Sequence, residues 1–184
     1  MENCTIYYDD MNRHCRQYAE SLSSHPNVVC KKMSDYKETS HIYEANRAVG
    51  FIYHSGYGQI SYELNHIIWR IVLPKDSYIF LLVADGGREM DAIRLVAKEL
   101  EHRGHQVTNI YSEYFFDRYH VVDRAQKILT DMEKGESIWQ KEQERLKKMD
   151  RKELRHHLKE NMKNYRSYKK RKKNRKESKT GSVL

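Results

Sequence analysis

Two glycine-bearing turns and one run of cations hold the residues with the clearest chemical use. The apolar run Tyr78–Ala84 ends in Asp85-Gly86-Gly87 and leads into a helical pattern. Paired glycines let backbone approach a ligand closely. Asp85 has a second, structural use as the N-cap of that helix. A similar stretch, Val49–Tyr53, is followed by His54-Ser55-Gly56-Tyr57-Gly58, a loop by composition. Near the end, Lys169, Lys170, Arg171, Lys172, Lys173, Arg175 and Lys176 place seven cations in eight residues. Such a run attracts any polyanion, whether nucleic acid or an acidic surface. Tyr165 and Tyr168, just before it, are suited to stacking on bases. Its structural alternative is a solvated appendage with no dedicated partner.

Other chemistry is poorly supported. The ten histidines include no H-E-x-x-H motif, and adjacent His156 and His157 face different ways on a helix, so no metal site is predicted. No G-x-S-x-G elbow supports a Ser/His/Asp triad. No catalytic residue can be named.

The elements that must position these turns alternate. Cys4–Tyr8 predicts a strand and Asn12–Ser24 a helix, with Cys15, Tyr18, Ala19 and Leu22 at spacings of three and four. Strands follow at Val28–Lys31, Val49–Tyr53, Ser77–Ala84 and Gln106–Tyr111. Helices are predicted at Ile60–Leu73, Met90–His102 and Val121–Met132, with a short one around Ile42–Arg47. Ser112–His120 is aromatic and irregular. Tyr111, Tyr114, Phe115, Phe116 and Tyr119 either wall a pocket or pack the last helix against the sheet. Seven consecutive apolar residues from Tyr78 suit a strand buried on both faces. The alternation predicts an α/β fold with a parallel sheet and right-handed crossovers. In such sheets ligands sit beyond the carboxyl ends of the strands.

Charge divides the chain. From Lys163 to Leu184 there are ten Lys/Arg against Glu177 alone, a net +9; the whole chain is +8, so residues 1–162 sum to −1. The basic character belongs to the tail, and the body need not be a nucleic-acid platform. Residues 1–135 are expected to form the domain, 136–168 a long charged helix with a sparse stripe of Trp139, Leu146, Met149, Leu154, Leu158 and Met162, and 169–184 a disordered tail. The three cysteines, Cys4, Cys15 and Cys30, are too far apart for a C-x-x-C pair. With the polar, acidic start Met1-Glu2-Asn3, they predict a reducing, cytoplasmic setting. No transmembrane segment is readable.

With these segments in place, residues 3–132 resemble a flavodoxin-type domain, similar to the flavodoxin part of bacterial flavodoxin/ferredoxin fusions. The likeness rests on Thr5–Tyr8 with Tyr18–Leu22, on Val49–Tyr53, and best on Tyr78–Gly87 through Leu100–His105. It implies a three-layer sandwich with five parallel strands in the order 2-1-3-4-5, FMN binding and electron transfer to a redox partner protein. It implies three cofactor loops. The phosphate loop falls on Asp10, Asn12, Arg13, His14 and Cys15. A loop beside the flavin falls on His54, Ser55, Gly56, Tyr57 and Gly58, with Tyr57 stacking on the ring. The loop on the ring's other side falls on Ala84, Asp85, Gly86 and Gly87. The chain departs from the pattern at the first loop, where hydroxyls are missing, Arg13 replaces a glycine, and Asp9 and Asp10 oppose a dianion. The four-cysteine clusters of an iron–sulfur centre are missing too. Two readings stand. One is an FMN electron carrier or its degenerate descendant, and if an enzyme, a flavin-dependent oxidoreductase. The other is a cofactor-free scaffold that binds nucleic acid or an acidic partner through its basic tail.

Overall fold

The computed structural model describes residues 3–180, with side chains through residue 174. Its strands are β1 Cys4–Tyr8, β2 Val28–Lys32, β3 Ile42–Tyr43, β4 Ala48–Ser55, β5 Ile71–Val72, β6 Tyr78–Gly86 and β7 Asn109–Ser112. The helices are α1 Arg13–Ser23, α2 Tyr62–Arg70, α3 Glu89–His102, α4 Glu113–Arg118, α5 Arg124–Glu133, α6 Ile138–Lys148 and α7 Arg151–Thr180, with a 3-10 turn at Met33–Tyr36. Five strands form one parallel sheet in the order β2-β1-β4-β6-β7. Counting only the strands of that sheet along the chain, the order is second, first, third, fourth, fifth. The arrangement is an α/β fold compatible with a flavodoxin-like one.

The β6 run is apolar throughout because both faces are covered. Ile79, Leu81 and Val83 join Phe51 and Tyr53 of β4 and the α2 and α3 residues Leu64, Ile67, Ile93 and Val96. Phe80, Leu82 and Ala84 face the other way, toward Cys15 and Leu22 of α1, Phe116 of α4 and Ile128 and Leu129 of α5. Fully burying each such aliphatic side chain contributes about 1.5–3 kcal/mol. Gly50 sits in β4 because a Cβ there would lie 2.2 Å from the Phe80 ring. The aromatic cluster after β7 serves packing: Tyr111 and Phe116 are buried and stack with centroids 5.9 Å apart.

Four local expectations between Ile42 and His120 are corrected. The helix predicted around Ile42–Arg47 is absent; Ile42 and Tyr43 instead pair in parallel with Ile71 and Val72 as a separate two-stranded sheet. The α2 helix consequently stops at Arg70, where β-branched Ile71 and Val72 turn extended. Asp85 does not cap α3, since it lies within β6; the capping position is Arg88, in the left-handed region and without a side-chain cap. Ser112–His120 is not irregular, because the Ser112 hydroxyl accepts the Phe115 amide at 3.2 Å and starts α4.

The single long helix is two. Asp150 accepts the amides of Lys152 and Glu153 at 2.7 and 2.9 Å, and Glu153 accepts the Asp150 amide at 3.1 Å. This reciprocal capping box begins α7 afresh. Residues 169–180, expected to be disordered, continue α7; residues 181–184 of that expectation lie outside the described residues.

Candidate functional site at the carboxyl edge of the sheet

The first bend, between β1 and α1, is occupied by its own side chains. Asn12 caps α1: its Oδ1 accepts the His14 and Cys15 amides at 2.9 and 3.2 Å. Asp10 turns away toward the 3-10 turn, where it accepts the Ser34 amide at 3.1 Å and hydroxyl at 2.8 Å. Burial opposes its charge, but the Ser34 donors outweigh it and hold the carboxyl below its ordinary value. Asp9 is buried; it accepts the Met11 amide at 3.0 Å and meets His54 Nδ1 at 2.5 Å. Arg13 is exposed. His14 Nδ1 lies 3.2 Å from Asp85 Oδ2. The Cys15 thiol is fully buried, and desolvation pushes its pKa up, which makes it a packing group rather than a nucleophile. Burial likewise raises Cys4 to about 12 and Cys30 to about 11.

The second and third bends are knitted together. Between Tyr53 and His54 the β4–β6 register shifts, leaving Ala84 opposite no partner, and pairing resumes as His54 with Asp85 and Ser55 with Gly86. Such a bulge re-aims side chains at a strand end. The Ser55 hydroxyl donates to the Gly87 carbonyl at 2.6 Å and accepts the Gly58 amide at 3.0 Å. Gly86 has φ +112°, and a Cβ there would stand 2.0 Å from the Ser55 carbonyl oxygen. Gly56 pairs with Gln59 through two backbone bonds. Tyr57, at φ +59°, is the exception: 80% of its surface is exposed. The three bends lie beside one another, linked by Asp9–His54, His14–Asp85 and Ser55–Gly86. What sequence reasoning did not foresee is how fully they satisfy each other.

It also missed what lies over them. Helix α7 packs across α4 and reaches the end of β6. Tyr165 and Tyr168 meet Tyr114 at 5.2 and 5.3 Å between ring centroids. Arg171 Nη2 pairs with Asp117 Oδ2 at 2.5 Å, Lys172 Nζ lies 3.9 Å from Asp85 Oδ1, and Arg118 donates to Asn161 at 2.7 Å. Tyr168 is buried, so its ring is committed to the body. The inward residues Asn161, Tyr165, Tyr168 and Lys172 recur at four, three and four, a helical stripe that was legible. Of the sparse apolar stripe, Trp139 packs against the core and Leu146, Met149 and Leu154 are half-buried, whereas Leu158 and Met162 are exposed. Lys163, Arg166, Lys169, Lys170 and Lys173 are exposed. Arg175 and Lys176 lie on α7, where side chains are not described.

Beneath α7, Glu89 is 3% exposed, and its Oε2 and the Tyr114 hydroxyl have no hydrogen-bond partner among the described residues. Desolvation raises the Glu89 pKa, nearby Lys172 pulling the other way. No sequence signal distinguished this glutamate from an ordinary first-turn acid. A separate open cleft of about 500 Å³ lies between α1 and α5, lined by His14, Tyr18, Glu113 and Arg124 among others. Its polar groups satisfy each other: Arg124 bonds Glu113 at 2.5 Å and Tyr18 at 2.8 Å. Among the described residues no helix is long and apolar enough to cross a membrane, and no group of three or more His, Cys, Asp or Glu is placed to hold a metal ion.

No family model matches this chain, and no curated protein matches it.

Proposed function

We propose that this protein is a flavodoxin-like, three-layer scaffold that works without a cofactor and binds nucleic acid through the outer face of α7. One observation carries the reading: Lys163, Arg166, Lys169, Lys170 and Lys173 are all exposed along a helix whose inner face is anchored to the body. At 1.5 Å per residue these cations line about 15 Å of helix, a ready contact for consecutive phosphates. Between residues 163 and 174 the ring side chains are Tyr165, half-buried, and Tyr168, buried. That stretch therefore offers charge without the exposed apolar face that a membrane-surface helix inserts.

The test is retention of a labelled single-stranded RNA by the full chain at several salt concentrations. Replacing Lys169, Lys170 and Lys173 with Gln should weaken binding and reduce the slope of log K against log salt by about 2 to 3. An unchanged slope would remove α7 as the contact. Preference for anionic vesicles over RNA would reassign the helix to an acidic surface.

FMN binding with electron transfer is the second reading, and Tyr57 favours it: an aromatic ring 80% exposed at the ligand edge of a parallel sheet. The first bend fits the FMN phosphate poorly. The His14 and Cys15 amides already bond Asn12, and the Asp9 and Asp85 carboxylates flank the position. A purified chain that carries the visible absorption of bound flavin would establish this reading. A colourless chain that takes up no added FMN would dismiss it.

A further inference from the structure

Between residues 163 and 174 the cations of α7 fall into two sets. Lys163, Arg166, Lys169, Lys170 and Lys173 are exposed. Arg171 and Lys172 instead engage Asp117 and Asp85 on the body, and Lys172 also faces buried Glu89. The aromatic contacts of Tyr165 and Tyr168 with Tyr114 hold the same stretch down. Lys169 and Lys172 lie over the Tyr165 and Tyr168 rings, 5.0 and 5.9 Å from the centroids. The helix is thus seated on an acidic rim formed by the end of β6 and by α4.

We propose that this rim is a built-in competitor: Asp85 and Asp117 occupy Arg171 and Lys172 in the free protein, and a nucleic acid must displace them to engage the whole basic stretch. This rests on the nucleic-acid reading above and specifies how that site is regulated. Binding then proceeds in two parts. The exposed lysines make first contact. Exchange of carboxylate for phosphate at Arg171 and Lys172 follows, and it loosens the Tyr165–Tyr168 stretch from Tyr114. Because both ion pairs are solvent-accessible, each opposes binding only modestly.

The experiment measures binding of a labelled oligouridylate by the full chain carrying Asp85→Asn and Asp117→Asn. The control carries Glu38→Gln and Glu101→Gln, two exposed acids away from the rim, and has the same net charge. The rim variant should bind about two- to tenfold tighter than the control, a tenfold gain corresponding to about 1.4 kcal/mol. In the wild type, oligouridylate should speed amide exchange in residues 113–118 beneath α7. In the rim variant, those amides should exchange fast before RNA is added.

If rim and control variants bind equally, and exchange beneath α7 is unmoved by RNA, the competition is refuted while the nucleic-acid reading stands. If neither wild type nor rim variant binds, the nucleic-acid reading itself fails and takes the competition with it. Binding by the rim variant alone would be the strongest support, a site closed by its own acids.

Discussion

The Asp9 carboxylate and the His54 imidazole meet at 2.5 Å, joining the bend after β1 to the end of β4. Asp9 is nearly buried and also accepts the Met11 amide, so it serves two donors from two elements. Asp9→Ala should destabilise the protein by about 1–3 kcal/mol, the usual cost of leaving donors unsatisfied. Urea denaturation read by circular dichroism checks this; a loss below a few tenths would mean that water replaces the carboxylate at once.

The contact of Gly86 with Ser55 gives a sharper contrast. An alanine at Gly86 must hold φ +112° and place its Cβ 2.0 Å from a backbone oxygen. Backbone strain alone costs about 1–3 kcal/mol, and the clash adds to it by moving β4 away from β6. At Gly87, one residue on, a Cβ meets nothing within 4 Å. Gly86→Ala should therefore be severely destabilised, and Gly87→Ala should stay within about 0.5 kcal/mol of wild type. Equal melting temperatures would show that the bends are not locked together as described.

The same pair marks how far the sequence could be read. The sheet was legible because β6 is apolar on both faces and the glycines stand at its end. The strand order came with the flavodoxin resemblance, not from the alternation of elements, which leaves the order open. The boundaries that failed did so where a long-range partner decided the outcome. Ile71 and Val72 extend a helical stripe, but Ile42 and Tyr43 recruit them as a strand. Ser112 starts a helix through one side-chain bond and Asp150 through a capping box, both concealed in polar, aromatic or charged stretches. The basic tail looked solvated because its charges dominate. Its seat on the body depends on Tyr165 and Tyr168, whose partner Tyr114 is about fifty residues away, a separation at which no local periodicity reports contact.

Glu89 makes a prediction about pH. Burial raises its pKa above the ordinary 4.5, so folding favours its neutral form. Below pH 4.5 the carboxyl is protonated in both folded and unfolded chains and costs nothing. As pH rises from there toward the raised folded value, the unfolded chain ionises first and stability falls; above the folded value the full penalty remains. Glu89→Gln removes this dependence. It should be more stable than wild type at neutral pH, with the difference vanishing in acid. Melting temperatures measured across that range test it, and a variant less stable than wild type at neutral pH would mean that the pairing of Glu89 with Lys172 outweighs its burial.

Asn12 sets the last expectation, at the bend where an anion would be bound if one is. Its Oδ1 satisfies the His14 and Cys15 amides, two of the donors that a helix N-terminus otherwise turns toward a phosphate. Asn12→Ala should cost about 1 kcal/mol through loss of the cap. The amides then lack an acceptor, so inorganic phosphate should restore part of the loss in the variant by mass action, while leaving wild type unmoved. The carboxylates of Asp9 and Asp85 limit the gain, since like charges a few ångström apart repel by roughly 1–4 kcal/mol. Thermal melts of both proteins with and without phosphate separate the cases. If phosphate stabilises wild type as much as Asn12→Ala, the bend accepts an anion despite its own cap, and the FMN reading gains the support that it now lacks at this position.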